Sequence, residues 1–145
     1  MGEAAFSLIE VCMGAGVLGL VALSLFGALG SGFTLVQVDR ENLRATQILE
    51  EKMEVIRLFN WDQINQPGFI PSRFTEAFYP AAGTNGAGGI AFTGNVIVTN
   101  APISETYAGD LRMVQVTVTW TSGGLQHTRQ MTTFVSQNGL QKYIY

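Results

Sequence analysis

The sequence predicts an α+β fold in which one long N-terminal helix, apolar in its first half and amphipathic in its second, packs on a small antiparallel sheet of about four strands. Three patterns carry this expectation. Residues 11–38 contain no Asp, Glu, Lys, Arg or His. Residues 38–59 gather their apolar side chains on one stripe at helical spacing. Residues 114–121 alternate strictly between apolar and polar.

The charge-free run is about 28 residues long, more than the roughly 20 that span a bilayer's hydrocarbon as a helix. A single transmembrane helix follows. A cleaved secretory signal is the competing reading, because "ALG" at residues 28–30 supplies small residues of the kind found at such cleavage sites. It fits poorly, since no Lys or Arg precedes the run and the run continues past that point. Within the run, Gly14, Gly16, Gly19, Gly27, Gly30 and Gly32 each weaken a helix by about 1 kcal/mol relative to Ala. Small residues let membrane helices approach closely, so Gly14, Gly16, Gly19 and Gly27 are expected at helix-to-helix contacts. A second reading is that Gly27, Gly30 and Gly32 mark a place where the helix loosens among copies of itself. Glu10 stands at the threshold of the run. An unpaired carboxylate at the bilayer centre costs at least about 2.5–3.5 kcal/mol, so Glu10 either stays among headgroups or has a partner.

Beyond Val38 the sequence "VDRENLRATQILEEKMEVIRLFNWDQI" sets Val38, Ala45, Ile48, Leu49, Val55, Ile56 and Phe59 on one stripe. Arg40, Gln47, Glu50, Glu51, Glu54 and Arg57 lie opposite. No proline occurs in residues 1–66. One continuous helix over about residues 6–59 is expected, on the order of 80 Å long at 1.5 Å per residue. Glu41 and Lys52 intrude on the stripe and are expected at its rim, with their charged ends toward water.

After Trp61 the chain becomes rich in turn residues, and strands are expected at residues 73–79, 90–100, 111–121 and 125–136. "TSGGL" supplies a tight connection between the last two, which should form a hairpin. A sheet with one apolar face needs one covering layer, and the amphipathic half-helix needs one sheet. Ile48, Leu49 and Ile56 from the helix and Val116, Val118 and Trp120 from the third strand are therefore the expected domain core.

Composition removes several function classes. The chain is 13% charged, about half of the roughly 25% usual in soluble domains, with a net charge of −3. From residue 63 onward the bases Arg73, Arg112, Arg129 and Lys142 barely exceed the acids Glu76, Glu105 and Asp110, so no nucleic-acid partner is expected. The single cysteine, Cys12, allows no intrachain disulfide. The single histidine, His127, lies in an alternating strand with neither a nucleophile elbow nor a phosphate loop beside it. Gly86, Gly88 and Gly89 lack the following lysine and helix that a phosphate cradle requires. Glu50, Glu51 and Glu54 read as a solvated helix face. No catalytic residues, metal site or cofactor are expected, and the chain is not read as an enzyme.

"AFSLIEV", followed directly by the long apolar helix, resembles the N-terminal signature of type IV pilins and pseudopilins. The segment "ATQILEEKMEVIRLFNWDQI" is further similar to minor pilins and minor pseudopilins. The resemblance implies a leader at residues 1–5, cleavage by a prepilin peptidase between Ala5 and Phe6, and N-methylation of Phe6. Glu10 matches the family's glutamate and would serve assembly, neutralising the Phe6 amine of a neighbouring subunit. Residues 6–38 would form the transmembrane and filament-core half of the helix, residues 39–61 its amphipathic half, and residues 62–145 the sheet region. The implied partners are the peptidase, other pilin or pseudopilin subunits, an inner-membrane assembly platform and the lipid bilayer. The implied location is the bacterial inner membrane, single-pass, with the globular domain on the periplasmic or external side. Ala5 replaces the family's usual Gly, "MGEAA" holds an acid and no base, and Gly27 stands near where many pilins have a proline. Paired C-terminal cysteines are missing, which favours a minor pilin or a pseudopilin. The expected function is thus a structural subunit of a type IV pilus or type II secretion pseudopilus. The alternative is a single-pass anchored binding module that does not polymerise.

Overall fold

A computed structural model of the chain describes residues 7–82 and 88–139. Helix α1 spans Leu8–Arg57 and a short α2 spans Trp61–Asn65. Strands β1 (Arg73–Ala77), β2 (Ala91–Asn100), β3 (Leu111–Ser122) and β4 (Leu125–Ser136) follow. The chain divides into two compact units, Met1–Arg40 and Glu41–Tyr145, so α1 contributes to both.

In the first unit the described residues form continuous helix from Leu8 onward, running unbroken through Gly27, Gly30 and Gly32. The hydroxyls in this stretch are satisfied within it. Ser24 Oγ donates to the Leu20 carbonyl at 2.9 Å, Ser31 Oγ to Gly27 at 3.1 Å and Thr34 Oγ1 to Gly30 at 3.2 Å. Such bonds one turn back let a hydroxyl sit in an apolar helix without an unsatisfied donor.

In the second unit the four strands form one antiparallel sheet in the order β1-β2-β3-β4. The fold is α+β. Gly123 and Gly124 have φ of +57° and +78°, the pair of left-handed residues that a two-residue hairpin turn requires between β3 and β4. Helix residues Ala45, Ile48, Leu49, Met53 and Ile56 are buried against Phe92, Val96, Val114, Val116, Val118, Trp120 and Val135 of the sheet, with Ile64 of α2. Burying one face of a helix at this spacing stabilises it far more than its intrinsic propensity does.

Two packing details differ from the sequence-based stripe. Val55 is 49% exposed, and Met53 holds the inward position one turn beyond Leu49. Residue 53 continues the 45, 49 series at steps of four, whereas residue 55 is rotated away from it. Lys52 is half-buried and pairs with Glu76 Oε1 at 2.8 Å, its ammonium 4.6 Å from the centre of the Phe74 ring. Phe74 in turn lies across Gly94, its register partner, where a Cβ would come within 2.0 Å of the ring. Gly94 is the residue that lets this ring lie flat against the next strand.

Candidate functional site

The first unit is defined by what surrounds its side chains. Leu8, Phe26 and Phe33 are 84%, 72% and 75% exposed, and residues 7–37 are exposed on every side of the helix. α1 is long and apolar enough to cross a membrane. Glu10 lies exposed in its first turn, where its backbone N–H donates to the Ser7 carbonyl at 3.0 Å. A Cβ at Gly14, Gly16, Gly19 or Gly27 would meet nothing within 4 Å, so each leaves an open notch on the helix surface. Residues 1–5, expected as a leader, with Ala5 and Phe6 at its expected cleavage site, lie outside the described residues, as do Gly86 and Lys142.

Glu41, in the second unit, is a correction to the rim position expected for it. It is only 2% exposed. Trp120 Nε1–H donates to its Oε2 at 3.2 Å and Ser122 Oγ–H to its Oε1 at 2.8 Å. Residue 41 precedes Ala45 by one turn, so the stripe that buries Ala45 buries it as well. A carboxylate held there needs hydrogen-bond donors, and β3 supplies two. Trp120 shares the buried cluster with Ile48, Leu49, Ile56, Val116 and Val118. Its ring is 5.4 Å from Phe92 and stacks at 18° on His127, its partner across the β3–β4 register. On β4, Arg129 reaches α1, donating to Asn42 Oδ1 at 3.3 Å and Thr46 Oγ1 at 3.1 Å.

These contacts give the notable polar residues structural work. His127 covers the Trp120 ring. Glu51 and Glu54 pair with Arg44 and Arg57. Among the described residues no group of three or more His, Cys, Asp or Glu side chains could hold a metal ion.

One arrangement was not expected from the sequence. Asn60 and Gln63 form a reciprocal capping box, each side chain bonding the other's backbone N–H at 2.9 Å, and this starts α2 directly after α1. Next to α2 lies a groove of about 330 Å³, lined by the apolar Ile64, Ile70, Val96 and Val98 and by the polar Asn65, Gln66, Thr99 and Asn100. Arg112 stands at this groove, its guanidinium 4.9 Å from the centre of the Trp61 ring. Compared with family models, curated proteins and solved structures, the chain matches none.

Proposed function

We propose that the chain is a membrane-anchored structural subunit, a minor pilin or pseudopilin of a type IV pilus or type II secretion pseudopilus, that assembles through its N-terminal helix. The observation that carries this reading is the exposure of residues 7–37, apolar all round and opened by a single carboxylate at Glu10. A helix surface of that kind must be covered by lipid or by other apolar helices. Residues 1–5 would be removed by a prepilin peptidase, Phe6 methylated, and the subunit held in the bacterial inner membrane until it joins others on the assembly platform. The notches at Gly14, Gly16, Gly19 and Gly27 would take the helices of neighbouring subunits. The subunit's work is mechanical and needs no cofactor.

The intact mass of the membrane-extracted protein tests this. A chain beginning at Phe6 and carrying one added methyl is expected. A chain beginning at Met1, or one beginning beyond Gly30, would count against the processing step.

The Arg112 groove favours a second reading, an anchored binding module that does not polymerise. Cys12, exposed on the apolar helix, separates the two when thiols are crosslinked in membranes. Ladders of several subunits are expected from filament packing when a second crosslink joins the globular units. A solitary anchor stops at dimers.

A further inference from the structure

The groove at Arg112 adjoins a sheet edge that stops short. β1 pairs with β2 only from Arg73↔Asn95 to Ala77↔Ala91. One more bond crosses that edge, from the Val96 N–H to the Ser72 carbonyl at 2.9 Å. β2 nevertheless continues, paired on its other side with β3 as far as Asn100↔Arg112.

In an antiparallel ladder successive residues bond alternately to one neighbour and the other. Val96 bonds toward the β1 side, so Val98 and Asn100 direct their N–H and C=O groups to that side too. Among the described residues no strand pairs with them there. Val96, Val98 and Asn100 also line the groove, so the open edge and the groove form one feature.

Arg112 is held firmly at this place. Its Nε donates to Asn65 Oδ1 at 2.7 Å, and its Nη1 to the Gly109 and Leu111 carbonyls at 3.0 and 3.1 Å. All these partners are neutral, and among the described residues Arg112 forms no ion pair. The result is a cation fixed beside a groove of mixed polar and apolar lining, with its Nη2 amine not engaged by those contacts. A guanidinium whose position is already set loses little freedom when it binds an anion.

We propose that this groove receives an extended, acidic segment of a partner polypeptide, which adds to the open edge of β2 in line with β1 and sets a carboxylate against Arg112. The edge presents backbone donors and acceptors at strand spacing, and another extended backbone is the ligand that matches them. Alternate side chains of the added strand face the groove. One, apolar, meets Val98 and Ile70; another, two positions away, lies beside Asn100, the register partner of Arg112. The added strand would stand about 9–10 Å from β3, a gap that a glutamate and an arginine side chain bridge together. A strand in line with β1 runs antiparallel to β2 and meets Asn100 before Val98, so the recognised pattern is a glutamate followed two positions later by an apolar residue. This site does not depend on whether the helix enters a filament.

The test uses the full chain in detergent micelles and the blocked peptide acetyl-Thr-Glu-Thr-Val-Thr-amide, with Trp61 emission reporting occupancy beside Arg112. A saturable change is expected, at least about tenfold tighter than for the same peptide with Gln in place of Glu. Arg112→Gln should abolish that difference. Hydrogen exchange at the Val98 and Asn100 amides should slow at saturation. A third peptide, N-methylated at the residues that would bond to β2, leaves the protein unaltered and should not bind. Equal affinity for the Glu and Gln peptides, absence of a saturable response at millimolar peptide, or undiminished binding of the methylated peptide would overturn the proposal.

Discussion

Trp120→Ala is expected to lower the stability of the globular unit by about 3–5 kcal/mol. The indole is 3% exposed, lies between Phe92 and His127, and donates to the buried carboxylate of Glu41. Removing it opens a cavity and takes one donor from an acid that is itself 2% exposed, and the two losses act in the same direction. Trp120→Phe separates them, because the ring remains while the N–H is lost. That variant is expected to cost about 1–3 kcal/mol, the penalty of a buried polar group left short of a partner. The measurement is urea unfolding of the full chain in detergent, followed by the fluorescence of Trp61, which both variants retain. A loss below about 1 kcal/mol for Trp120→Ala would mean that the surrounding side chains close over the gap. Equal losses for Phe and Ala would instead assign the whole effect to the hydrogen bond. If the Glu41 bond is a true coupling, Glu41→Gln should cost less in the Trp120→Phe background than alone.

The helix and the sheet were legible because each rests on a long, regular pattern. No proline interrupts residues 1–66, and β3 alternates at Val114, Val116, Val118 and Trp120, all of which are buried. The hairpin was legible from Gly123 and Gly124, since a two-residue turn with both φ positive favours glycine strongly. Details set by tertiary contacts were not. Glu41 has the character of a rim residue, and its burial is helped by the indole and hydroxyl brought in from Trp120 and Ser122, far along the sequence. Val55 and Met53 are both apolar neighbours on the helix, and the choice between them follows from where the sheet lies. α2 is five residues long, too short for periodicity to reveal, although the Asn60–Gln63 capping pair was a readable signal. The Arg112 groove depends on β1 ending before β2 does, a mismatch in strand length that no single segment announces.

Glu10→Ala is expected to leave the chain inserted in the membrane and processed, yet to exclude it from filaments. Residues 11–38 carry no charge, so a helix packed among its copies presents an apolar core in which Glu10 is the sole nearby acid of each subunit. After cleavage at Ala5–Phe6 the new amine would be buried in that core, and Glu10 of a neighbour is the group able to neutralise it. Removing one member of a buried pair leaves an uncompensated charge, at a cost of about 3–5 kcal/mol per contact. A loss of that size at the subunit's own contact is enough to exclude it from the filament. Insertion should be unaffected or slightly easier, because Glu10 stands at the edge of the apolar run and its loss removes a charge from it. Glu10→Asp keeps the charge with a shorter reach, so an intermediate loss is expected. The measurement is the amount of processed protein in the sheared filament or co-purified pseudopilus fraction relative to that in the membrane. A pure interfacial role for Glu10 gives the same ratio for the unaltered chain and for Glu10→Ala, and that equality would sink the pairing mechanism. It would leave the membrane anchor and the sheet unit untouched, because neither depends on what Glu10 meets.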